Sequence, residues 1–212
     1  MTDQHVEGVA AAGSDQRLGW PGRLAWAITE LFAPQHVALA LPLVAGVLAE
    51  GWPGLAWGVL TALLCAGVPA VVIAIGVRRG RLDSKHLVQR SGRKVPMLAG
   101  LVAVVGGLAL LIALDASRVA IATAAVMLGW VLVMGLITVW WKISFHTGVF
   151  AGASVVVAAV THWEPVLLAC GLIVVGIGWA RVRIAHHTLA QVVAGVVVGS
   201  AVAWAATWLV LS

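Results

Sequence analysis

Residues 142–148 read KISFHTG, set between VAIATAAVMLGWVLVMGLITVWW (119–141) and VFAGASVVVAAV (149–160). A lysine, a serine and a histidine sit together at the seam of two apolar runs. Such a seam reads as the place where the chain leaves a membrane between two spans, because a spanning helix needs about 20 mostly apolar residues. Working outward, apolar runs at 35–50, 54–77, 97–114 and 119–141 precede it. A fifth span runs to about 161, and 165–180 and 188–210 complete the set. The run 24–33, LAWAITELFA, is a mixed helix that stops at Pro34 and is expected to lie in the interface.

Composition agrees. Of 212 residues, 62% are hydrophobic and 10% charged, where a soluble domain carries about 25% charged residues. Mean hydropathy is +1.05. The expected fold class is all-α, a polytopic transmembrane bundle of six to seven spans. Residues 1–21 are expected as a disordered polar tail, 22–34 as the interfacial helix and 35–212 as the transmembrane domain. The polar start lacks an apolar h-region and does not read as a cleavable signal peptide. Cys65 and Cys170 lie inside apolar runs without metal-type spacing, so packing roles and no disulfide are expected.

Counting crossings places three polar segments on one side: 78–96 (RRGRLDSKHLVQRSGRKVP), 142–148 and 181–191 (RVRIAHHTLAQ). Two spans separate each from the next. All 13 Lys and Arg except Arg118 fall on that side, which the positive-inside rule makes cytoplasmic, in a bacterial-type cell membrane. Most tryptophans lie near span ends, as in an aromatic belt.

The shared side collects Lys85, His86, Arg90, Arg93, Lys94, Lys142, Ser144, His146, Arg181, Arg183, His186, His187 and Gln191. Ionisable groups at membrane depth are costly and usually face a cavity or one another. Cations with histidines and almost no carboxylate suit a phosphate. One imidazole can attack phosphorus and another can protonate the leaving oxygen. Asp83 is the lone acid of the three segments, and no DxxD or DxD pattern exists to hold Mg²⁺. No locked zinc spacing occurs either. No metal, no other cofactor and no nucleic-acid partner are expected; the expected partners are membrane lipids and a lipid phosphate.

These residues resemble the type 2 phosphatidic acid phosphatase (PAP2) family, whose motifs are Lys-x6-Arg-Pro, Pro-Ser-Gly-His and Ser-Arg-x5-His-x3-Asp. Ala180-Arg181, five residues, His187, three residues and Gln191 is similar to the third. Ile143-Ser144-Phe145-His146 is similar to the second. His86, six residues and Arg93-Lys94 is similar to the first, with a proline only at Pro96. The resemblance covers about residues 78–200. It implies a phosphohistidine at His187 and general acid His146. It further implies phosphate contacts from Arg93, Arg181 and Ser144, and His86 or Lys85 in place of the family lysine. Three positions depart: Gln191 replaces an aspartate, Phe145 a glycine and Ala180 a serine. The implied function is hydrolysis of an isoprenoid phosphate or diphosphate, a polyprenyl-phosphate sugar phosphate, or a phosphatidic-type lipid. A binder or transporter of anionic lipids using the same pocket is the alternative, and haloperoxidase chemistry is a third.

Overall fold

The computed structural model describes residues 19–79 and 94–212, and every regular element among them is helical. In chain order these are α1 (Trp20–Leu31), α2 (Pro34–Glu50), α3 (Trp52–Ala62), a π turn at Leu63–Gly67, α4 (Val68–Arg78), α5 (Lys94–Ala113) and α6 (Arg118–Gly129). A second π turn at Trp130–Met134 leads to α7 (Gly135–Trp140), α8 (Phe145–Thr161), α9 (Pro165–Arg183) and α10 (Leu189–Leu211). Proline opens α1, α2, α3 and α9 within their first two positions. There its missing N–H costs nothing and its fixed φ favours the helix. The first π turn lies against Pro69, which has no N–H to offer the preceding turn.

Four helical stretches are long and apolar enough to cross a membrane: Trp52–Gly76, Arg118–Trp140, Pro165–Arg183 and Leu189–Leu211. The pair α1 and α2, bent by 48°, passes the same test jointly. Leu98–Ala113 and Phe145–Thr161 are apolar but shorter. At about 1.5 Å per residue, the 17 residues of α8 cover roughly 25 Å, less than the ~30 Å hydrocarbon core. The expected transmembrane helical protein is thus seen as four candidate spans, five with the bent pair.

Two boundaries move. Trp20 and Pro21, read as tail, belong to α1. The helix read as 22–34 ends at Leu31, and α2 begins at Pro34. Nor does α1 simply lie apart in an interface: it packs on α9, with Gly22, Ala25 and Thr29 buried.

Small residues set the closest approaches. Gly51, at φ +68, turns α2 back along α3, and Gly46 and Gly54 meet so closely that a Cβ on either would lie within about 2.2 Å of the other's carbonyl oxygen. The helices α8 and α10 touch in the same manner. A Cβ on Gly199 would stand 2.1 Å from the Gly148 oxygen, and one on Gly195 would stand 2.4 Å from the Ser144 oxygen. A Cβ on Gly152 would meet the Gly199 oxygen at 2.5 Å. Ser144, Gly148 and Gly152 therefore step along Gly195 and Gly199 in the same direction, so α8 and α10 run parallel. Trp130 donates its indole N–H to the Gly199 carbonyl at 3.1 Å and closes over this contact.

The contact is directly testable. Gly199→Ala is expected to lower thermal stability in detergent by the ~1–3 kcal/mol typical of overpacking. Gly176→Ala, on α9 with open space where its Cβ would stand, is expected to be neutral or slightly stabilising. Equal melting of the two variants would rule the contact out.

Candidate functional site

Parallel contact brings two helix N-termini side by side. The backbone N–H of Ser144 donates to the Gln191 carbonyl at 3.2 Å, and the Thr147 hydroxyl donates to the Val192 carbonyl at 3.1 Å. These bonds tie the KISFHTG seam to the first turn of α10. Each helix start leaves backbone N–H groups without intrahelical partners and carries the positive end of a dipole. Ser144 takes the N-cap position of α8, but its side chain makes no capping bond. It is fully buried, and its Oγ has no hydrogen-bond partner among the described residues. Buried hydroxyls are normally satisfied.

Arg181 comes from the last turn of α9, where a cation is favoured by the helix dipole. It is 7% exposed, and its Nε likewise lacks a partner among the described residues. The chain then reverses in a Schellman turn: Ala185 N–H donates to the Val182 carbonyl and His186 N–H to the Arg181 carbonyl, at 3.0 and 3.1 Å. His187 N–H also reaches the Arg181 carbonyl, at 3.2 Å. The turn needs a left-handed residue and uses Ala185, at φ +56, where glycine would be unstrained. It folds both histidines back over the end of α9. Trp26 of α1 meets the His186 ring edge-on, with centroids 5.4 Å apart.

His187 precedes α10 instead of lying on it, and its link to Gln191 runs through a capping box. Thr188 caps the helix by accepting the Gln191 N–H, while Gln191 Oε1 accepts the Thr188 N–H at 3.2 Å. A backbone N–H can only donate, so the amide oxygen must face this way. The same oxygen lies 3.1 Å from His187 Nδ1. Nδ1 therefore carries the proton, and Nε2 keeps its lone pair. Burial, then the Arg181 guanidinium, push the His187 pKa down to about 4; Lys142 and His186 push the same way, and the Gln191 hydrogen bond opposes them. At neutral pH the ring is an uncharged base.

The structure thus brings Ser144, Arg181, His187 and Gln191 to one end of the bundle. His146, half-buried in the first turn of α8, and exposed Lys142 belong to the same end. Lys85, His86, Arg90 and Arg93 lie outside the described residues, as does the side chain of Lys94. Among the described residues no three His, Cys, Asp or Glu side chains gather as a metal site would require. Sequence reasoning missed α1 as a wall of this end. Its signal was present: Gly22, Ala25 and Thr29 recur at helical spacing, the stripe of small residues that lets one helix approach another. No family model, curated protein or solved structure matches this chain, so a functional reading stands on these residues.

Titration of His187, followed by NMR of labelled imidazole, checks the electrostatics. A pKa near 4 is expected, rising in Arg181→Gln and falling further in Gln191→Leu. The folded value lies below the ordinary ~6.5, so unfolding takes up a proton between those two values. The fold accordingly loses stability as pH falls through that window. A pKa near 6.5 that neither variant moves would show that the ring is not enclosed.

Proposed function

We propose that this chain is a multi-pass membrane lipid phosphatase of PAP2 type, with six to seven spans and its site on the cytoplasmic side. The observation that carries the reading is the joining of the two helix starts: Ser144 bonded to the Gln191 backbone, and the Gln191 side chain fixing the His187 tautomer. A phosphate needs donors on its oxygens, a nucleophile in line and an acid on the departing oxygen. Arg181, the Ser144 hydroxyl and the N-termini of α8 and α10 supply the donors. Lys85 or His86, with Arg93, would add cations from the segment 78–96.

In this mechanism His187 Nε2 attacks phosphorus as the bond to the lipid oxygen breaks, and His146 gives that oxygen a proton. A phosphohistidine results. His146 then takes a proton from water, the water oxygen attacks phosphorus, and the N–P bond breaks to release inorganic phosphate and free imidazole. The substrate is a lipid phosphomonoester or diphosphate: an isoprenoid phosphate or diphosphate, a polyprenyl-phosphate sugar phosphate, or a phosphatidic-type lipid. Gln191 positions the ring but stabilises the developing imidazolium less than a carboxylate would, which suits a slow or specialised enzyme.

Gln191 and Phe145 favour one other reading, a binder or transporter of anionic lipids that performs no chemistry. Phosphate release from a panel of lipid phosphates, measured in EDTA, separates the two. Release is expected, with vanadate inhibition and ³²P trapped on histidine. His187→Ala is expected to lose at least about 10³-fold, and His146→Ala between roughly 10² and 10⁴-fold. Full turnover by His187→Ala would overturn the mechanism, and tight binding without release would favour the binder.

A further inference from the structure

A cleft of about 810 Å³ opens between α9 and α10, with α8 as its floor. Its walls are almost wholly apolar, built from residues such as Val174 and Val182 on α9 and Val193 and Val197 on α10. Among the described residues Arg183 is its one charged lining residue, at the end where α9 meets the candidate site; Ser154 and Ser200 line the far end. The cleft abuts the site directly. Gly178 lines it, and a Cβ there would meet Val192 Cγ1 at 2.9 Å and Thr147 Cγ2 at 4.0 Å. Those two residues carry the bond that ties the seam to α10. Along α10 the lining runs from Leu189 to Ser200, about 16 Å at 1.5 Å per residue. Half of a bilayer's hydrocarbon core is about 15 Å. At the deep end Gly171 leaves open space where a Cβ would stand.

We propose that this cleft holds one hydrocarbon chain of the lipid whose phosphate binds at Ser144, Arg181 and His187. The proposal rests on reading that end of the bundle as a lipid-phosphate site, and it names the substrate class: a lipid that presents a single chain, one leaflet deep, beside its phosphate. Three observations choose this occupant. The cleft adjoins the site across the Thr147–Val192 contact, its length along α10 is close to one leaflet, and its one charge among the described residues is the cation Arg183 at the headgroup end. Bilayer hydrocarbon is as apolar as the cleft, so transfer from water contributes nothing once the lipid is in the membrane. The cleft acts by position: it fixes the chain, and with it the angle at which phosphorus meets His187 Nε2.

The test uses the full chain in vesicles and a single-chain alkyl phosphate that carries a diazirine at the chain end, its chain spanning one leaflet, about 15 Å. The matching alcohol, without phosphate, serves as control. On irradiation the phosphate is expected to label Gly171–Val175 and Val196–Ser200, and the alcohol to label the outer surface diffusely. Gly171→Trp and Val197→Trp, which fill the cleft from either wall, are expected to abolish the focused label. They are also expected to lower turnover of the long-chain phosphate about tenfold and to leave a water-soluble aryl phosphate unaffected. Phosphate release accompanied by label spread over outward residues such as Leu168 and Leu172, or by equal labelling with the alcohol, would overturn the cleft and spare the phosphatase. Focused, phosphate-dependent label without any phosphate release would uphold the cleft as a lipid site and overturn the phosphatase.

Discussion

Backbone contact between α8 and α10 organises this molecule. Gly148 and Gly152 lie against Gly195 and Gly199 with no room for a single side-chain carbon. Within a membrane, helices gain little from hiding apolar surface, since lipid is equally apolar. Close packing and short polar bonds must hold them together, and glycine permits both. The contact also fixes direction. Two helices separated by one return passage, α9, run parallel, so their N-termini share an end.

That end inherits an electrostatic character before any side chain is counted. Two helix starts add their positive partial charge, and the C-terminus of α9 brings Arg181 beside them. A buried guanidinium and a buried serine hydroxyl with unspent polar atoms are expensive. An oxyanion would relieve both costs at once. His187 is set in the same place by turn geometry, because the Schellman reversal at Ala185 and the capping box at Thr188 leave the ring little choice of position. The strain at Ala185 fits a segment whose shape serves a site.

Much of this was legible in the sequence. The spans read at 119–141 and 188–210 match Arg118–Trp140 and Leu189–Leu211 to within a residue or two, since long apolar runs have few alternatives. Even counting of crossings put Ser144 and Arg181 on one side, and the structure has them at one end. Other features depended on tertiary contact. Hydropathy could not show that α1 would pack on α9, because a polar-flanked amphipathic run suits an interface equally well. His187 and Gln191 stand four residues apart in sequence, but only the structure shows that the turn places His187 ahead of the helix and that their bond is made at the cap. The cleft between α9 and α10 arises from packing and leaves no periodic trace. Lys85, His86 and Arg93, read as part of the same cluster, lie outside the described residues.

The arrangement stands or falls on whether the seam and the start of α10 occupy one end of the bundle. Spin labels on Lys142 and Leu189, both exposed, in a chain whose Cys65 and Cys170 are replaced, measure this by electron–electron distance in vesicles. Parallel α8 and α10 predict a short separation, well inside the thickness of the hydrocarbon core. A distance near or above its ~30 Å would put the two polar segments on opposite membrane faces and leave no common anion site.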